Sequence, residues 1–210
     1  MESKETEKIK QILGENLVSL VAYNNGDETR QLAVCKTINL NTLTNLRQLI
    51  DKPIIFTEEE IKNATDVFPV EFLNIKRHHV LLHGNDIFSD LEINKANLRH
   101  QLEFEFRSKL VHLRQSYLHS DGEDIDEIIL GAIPTLAPII GALLYMKDMP
   151  IKYSVENFKS LHGIDTQILI DIHNIRIGKT KLAKDRNEYI SKLITILEQI
   201  GKVVNDLKVT

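Results

Sequence analysis

Between Ile128 and Met146 the chain runs nineteen residues without a charged side chain. A run of that length admits two structures: a helix crossing a bilayer, or a helix enclosed on all sides by other helices. Gly131, Pro134, Pro138 and Gly141 interrupt it, and acidic residues precede it. No Lys/Arg cluster or aromatic belt flanks it to set an orientation across a membrane. The enclosed helix accounts for the run better, and it demands several further helices to surround it. No membrane partner is expected, and integral membrane anchoring is the rival reading.

Those further helices are legible from their caps and apolar spacing. Asn94 caps a helix reaching about Leu118, and Asp124 caps the uncharged one. Ser154 caps a short helix to Leu161, which Gly163 stops. Asp165 opens another to about Ile175, and a last helix covers about Lys184 to Leu207. Upstream of Asn94 the pattern is mixed. Residues 4–15 form a short amphipathic helix with Ile9, Ile12 and Leu13 on one side. Leu17–Tyr23 and Gln31–Ile38 read as strands around the turn signal Asn24-Asn25-Gly26-Asp27. Asn41–Ile50 reads as a helix and Pro53–Phe56 as a third strand. Thr57 and Glu60 have capping-box spacing, Pro69–Lys76 is a short helix, and Val80–His83 a fourth strand. The expected class is α+β: a small mixed α/β domain over residues 1–93, then an all-α bundle over 94–210.

Composition narrows the function classes. A net charge of -4 argues against a surface built as a nucleic-acid coat, and no nucleic-acid partner is expected. The single Cys35 excludes an intramolecular disulfide and a Cys-rich zinc site. The charged N-terminus has no apolar core of the secretory kind, so a cytoplasmic protein is expected. Lys95–Arg114 holds five Lys/Arg against two Glu, which a solvated helix face with ion pairs explains. His79 and His83 stand four apart, a ligand spacing only on a helix, and the alternation there favours a strand. The carboxylates at 121, 123, 124, 126 and 127 lack the spacing of a calcium loop and suit a helix N-terminus. No metal and no cofactor are expected.

The helix after Asn94 carries the candidate site. Leu98, Leu102, Phe106, Leu110, Leu113 and Tyr117 form one apolar stripe at 100° per residue. Phe104, Val111 and Leu118 form a second, narrower one, and Phe104 and Phe106 both read as core. Glu103, Arg107 and Arg114 lie in the seam between the stripes. Charges so placed are expected to be partly buried and therefore paired. Glu103 and Arg107 can pair at i,i+4, which leaves Arg114 in need of a carboxylate or an anion. A carboxylate opposite it makes the seam a scaffold; an open pocket makes it a nucleotide or phosphate site. Arg107–His112 and Arg114–His119 also share the Arg-x4-His spacing of HEPN-type ribonucleases. Five positions on one helix lie about 140° apart, so those side chains would not converge.

FPVEFLNIKRHHVLLHGNDIFSDLEI (Phe68–Ile93), followed by LRHQLEFEFRSKLVHLRQSYL (Leu98–Leu118), resembles bacterial nucleotidyltransferase-like proteins. In these a small polymerase-beta-type domain precedes a helical bundle. The resemblance implies a first strand ending in a Gly-Ser turn, a short helix, and a second strand bearing Asp-x-Asp. Two divalent ions held by such carboxylates clamp the attacking and leaving oxygens. Here only Asn24–Arg30 separates the first two strands, with no Gly-Ser, and Asp27 and Glu28 are the only carboxylates after the first strand and before Asp51. The expectation is a degenerate nucleotidyltransferase without catalytic residues. It would act by binding as a regulator or adaptor, with a nucleotide, phosphate or protein as ligand and Glu103, Arg107 and Arg114 as its contacts. A HEPN-type ribonuclease is the alternative.

Overall fold

A computed structural model describes residues 4–25, 27–151 and 155–208. The fold is α+β, and the chain divides into two compact units, Met1–Ile93 and Asn94–Thr210.

The first unit is built on a four-stranded mixed sheet of order β3-β2-β1-β4. After α1 (Lys4–Leu13) and a 3-10 turn (Gly14–Asn16), β1 (Leu17–Asn25) turns directly into β2 (Glu28–Cys35). Asn25 pairs with Glu28, so only two positions form the turn. The second strand therefore starts three residues before the expected Gln31, because a two-residue connection lets pairing run to its tip. The helix α2 (Leu40–Leu46), capped by Asn39, returns the chain so that β3 (Ile54–Thr57) runs parallel to β2. Thr57 and Glu60 close a capping box on α3 (Glu58–Asn63). Then α4 (Pro69–His78) leads into β4 (His79–Gly84), antiparallel to β1. Successive side chains of a strand point to opposite faces, and both faces of the central strands are apolar. Leu20, Ala33 and Cys35 pack with Ile9 and Leu13 of α1 and Leu46 of α2. Val21, Leu32 and Val34 pack with Ile61, Phe72, Ile75 and Phe88 on the other face.

The loop after β4 is fastened by Asp86. Its Oδ1 accepts from the backbone N–H groups of Phe88 and Ser89 at 3.1 and 3.0 Å, and its Oδ2 from the Ser89 hydroxyl. His79 Nε2 lies 3.1 Å from the same carboxylate. The Ser89 hydroxyl, the backbone donors and His79 hold the Asp86 carboxyl down at about 2. Because that value is below the unfolded one near 4, the stabilisation is complete above about pH 5 and is lost as pH falls towards 2. Asp86 is 35 % exposed, and screening leaves a contribution of about 1 kcal/mol. Urea unfolding of the wild type and Asp86→Asn should differ by that amount at pH 7 and converge near pH 2. A gap that stayed constant with pH would assign the loss to packing instead.

The second unit contains α5 (Lys95–His119), α6 (Glu123–Leu130), α7 (Ala132–Met146), α8 (Glu156–Lys159), α9 (Gln167–Arg176) and α10 (Arg186–Asn205). The caps of α5 and α10 are Asn94 and Asp185, each accepting from two backbone N–H groups of the first turn. The expected cap Asp124 instead lies inside the first turn of α6, behind Gly122. The expected cap Ser154 lies outside the described residues. Thr166, not Asp165, occupies the cap of α9, although the Asp165 carboxylate accepts from Gln167 N–H at 3.0 Å.

The uncharged run is the centre of this unit, with Ile133, Leu136, Ile139, Ile140, Leu143 and Leu144 of α7 buried. Glu123–Met146 has the length and hydropathy of a bilayer span, and 56% of its most apolar stretch is buried in protein. It is not one continuous helix, since Gly131 stands between α6 and α7. Pro134 lacks the N–H that the Leu130 carbonyl would accept in a regular helix. Arg176 of α9 donates to that carbonyl at 2.9 Å. Asp126 and Arg186 join α6 to α10 by two hydrogen bonds of 2.7 and 2.8 Å.

Candidate functional site

Glu103, Arg107 and Arg114 all project from α5 towards α10. Arg107 donates to Glu103 at 3.1 and 3.2 Å and to the Asn205 side chain at 3.1 Å. Arg99 also reaches Glu103, at 3.4 Å. Arg114 donates to Glu198 of α10. A carboxylate thus stands opposite each arginine, the arrangement of a scaffold. The three are less buried than the two-stripe reading expects: Arg107 is 63% exposed. The reason is that the second stripe is not core. Phe104, Val111 and Leu118 are 64%, 56% and 71% exposed, whereas Leu98, Leu102 and Phe106 are buried. With one side of the seam in water, the charges need no enclosure. Arg107 and Glu198 still edge a small cavity of about 230 Å³ floored by Phe106, Leu110 and Leu197.

A larger cavity, about 350 Å³, opens among α5, α6, α7 and α10. Sequence reading missed it, since its walls come from segments up to 88 residues apart, from Lys109 to Leu197. Leu113, Ile128, Ala132, Leu136, Leu193 and Leu197 form its apolar walls, with Lys109, His112, Ser116, Glu127 and Thr135 among them. The i, i+3, i+4, i+7 spacing of Lys109, His112, Leu113 and Ser116 is the only local signal that these share one helix face.

In the α/β unit, a crevice of about 650 Å³ runs over one face of the sheet, past Ala22, Thr29, Gln31, Ile54 and Leu82. Thr29 and Gln31 are the alternate residues of β2 that line it, and Asp51 is its one carboxylate among the described residues. Gln31 Oε1 is buried there without a hydrogen-bond partner. Arg30, also on the crevice, pairs with Glu28 at 3.1 Å. Two divalent ions need several converging carboxylates; Thr29 and Gln31 supply none, so the donor set does not fit them. His79 and His83 belong to β4, and His79 turns to Asp86. Cys35 is buried in the core, and burial pushes its thiol up to about 11, so it is no nucleophile.

Among protein-family models and curated proteins, none matches this chain.

Proposed function

We propose that the chain is a nucleotidyltransferase-like protein that has lost metal-dependent transfer and acts by binding, as a cytoplasmic regulator or adaptor. The observation carrying this reading is the β1–β2 connection together with the β2 face it presents. Asn25 pairs with Glu28, which leaves no room for a phosphate-binding turn and helix. The alternate β2 positions on the crevice are Thr29 and Gln31, where that chemistry needs paired carboxylates. The loss is therefore compound. Replacing one residue restores neither the metal pair nor the backbone N–H groups that would approach a triphosphate.

A nucleotide or phosphate at Arg107 and Arg114 competes with carboxylates already in place. Glu103 and Glu198 already neutralise both guanidinium groups, so an incoming anion has to displace a carboxylate. The HEPN alternative draws no support from geometry either, since His112 and His119 line hollows towards α6 while Arg107 and Arg114 turn to α10.

Two measurements test the proposal. Nucleoside triphosphates with Mg²⁺ should show no turnover with the purified protein, and Mn²⁺ should not bind by calorimetry. Thr29→Asp/Gln31→Asp should gain Mn²⁺ binding and still show no turnover. Turnover by the wild type would overturn the reading. Absence of Mn²⁺ binding by a folded double variant would remove β2 as the relic of a metal face.

A further inference from the structure

We propose that the cleft among α5, α6, α7 and α10 binds a small apolar molecule bearing a primary ammonium group. The proposal is independent of the ancestry argued above, because every residue it uses belongs to the helical unit.

Size and lining set the first part of the ligand. A cavity of about 350 Å³ walled by Leu113, Ile128, Leu136, Leu193 and Leu197 suits an aryl or short alkyl body. Ser116, Glu127 and Ile128 also line a second, more open hollow of about 640 Å³, shared with Gln115, His119 and Asp124. The two form one path, apolar inside and polar at the mouth.

Charge sets the second part. Lys109 is the one Lys or Arg on the path, and Glu105 neutralises it at 2.9 Å. Glu127 and Asp124 have no ion-pair partner among the described residues, which leaves the path two carboxylates without a paired Lys or Arg.

The end of α5 adds to this field. Ser116, His119 and Ser120 of the outer hollow stand at its C-terminus, the negative end of a 25-residue helix. No backbone N–H of the described residues after His119 donates back to its last turn, so its final carbonyls are available acceptors. An ammonium has three donors and no acceptor, and so matches carboxylates and carbonyls together. A carboxylate ligand would meet Glu127 and Asp124, with Lys109 already paired to Glu105.

The experiment compares three phenylethyl probes that differ in their polar group, at pH 8 by calorimetry: 2-phenylethylamine, 3-phenylpropionate and 2-phenylethanol. The amine is expected to bind saturably, the alcohol at least about tenfold more weakly and the acid not at all. Glu127→Gln should weaken the amine about tenfold, and Ala132→Phe should abolish binding by filling the cavity. Amide NMR shifts of the unaltered protein should localise the amine to Leu113, Ala132 and Leu136. Equal affinity for acid and amine, an unchanged affinity in folded Glu127→Gln, or shifts elsewhere would each overturn the proposal. These outcomes do not depend on whether Thr29→Asp/Gln31→Asp binds Mn²⁺, so the two readings fail separately.

Discussion

Replacing Gly84 by alanine is expected to destabilise the α/β unit by roughly 3–5 kcal/mol, through two costs that add. Gly84 has φ +79°, which a side chain adopts only with strain, and an added Cβ would stand 2.0 Å from the Val18 carbonyl oxygen. That oxygen belongs to backbone and accepts from Asn85 N–H at 3.1 Å, so it has no rotamer by which to move aside. Relief requires β4 to separate from β1 where Ser19 pairs with Gly84, at the irregular end of the ladder. For a small unit, such a loss is much of the total stability. Urea unfolding followed by circular dichroism should show a first transition shifted to lower denaturant. Gly163→Ala is the control: its φ is +83°, but nothing lies within 4 Å of the added Cβ. It should cost about 1 kcal/mol from backbone strain alone. Equal effects from the two substitutions would mean that close approach at Val18 contributes nothing.

The second large effect separates two phenylalanines that stand two positions apart on α5. Phe106 is fully buried, and Phe106→Ala should cost about 3–5 kcal/mol through lost burial and an unfilled cavity. Phe104 is 64% exposed, and Phe104→Ala should change stability by less than about 0.5 kcal/mol. Thermal and urea unfolding of the helical unit measure both. A destabilising Phe104→Ala would restore the view that both apolar stripes of α5 face a core.

That contrast shows where sequence reading stops. Both stripes on α5 have regular helical spacing, and periodicity cannot say which of them meets a neighbour. In the structure α10 and α7 pack on the side of Leu98, Leu102 and Phe106, and nothing described covers Phe104, Val111 and Leu118. The partners of the arginines were equally hidden. Glu103 could be assigned to Arg107 because four positions on a helix bring them together. Glu198 lies 84 residues from Arg114, and no local rule connects the two. Asp124 illustrates a smaller failure, a good capping residue displaced into the first turn because Gly122, at φ +51°, lets the chain enter the helix earlier.

What the chain determines by itself is everything whose chemistry closes within a few residues. Thr57 and Glu60 make their capping box, Asn94 caps α5, and the turn after Asn25 forces an antiparallel hairpin. The absence of a Gly-Ser turn and of paired carboxylates on the second strand is likewise a property of residues 24–35 alone. The uncharged run Ile128–Met146 also requires that something enclose it, though not what. Tertiary structure decided the rest: that α7 is the enclosed helix, that Thr29 and Gln31 share a crevice with Asp51 and Lys52, and that Glu127 faces a cavity walled by α10. The physical reason is range. A backbone hydrogen bond or an i,i+4 pair is specified by the residues that make it, whereas burial and cavities are specified by whichever distant surfaces arrive beside them.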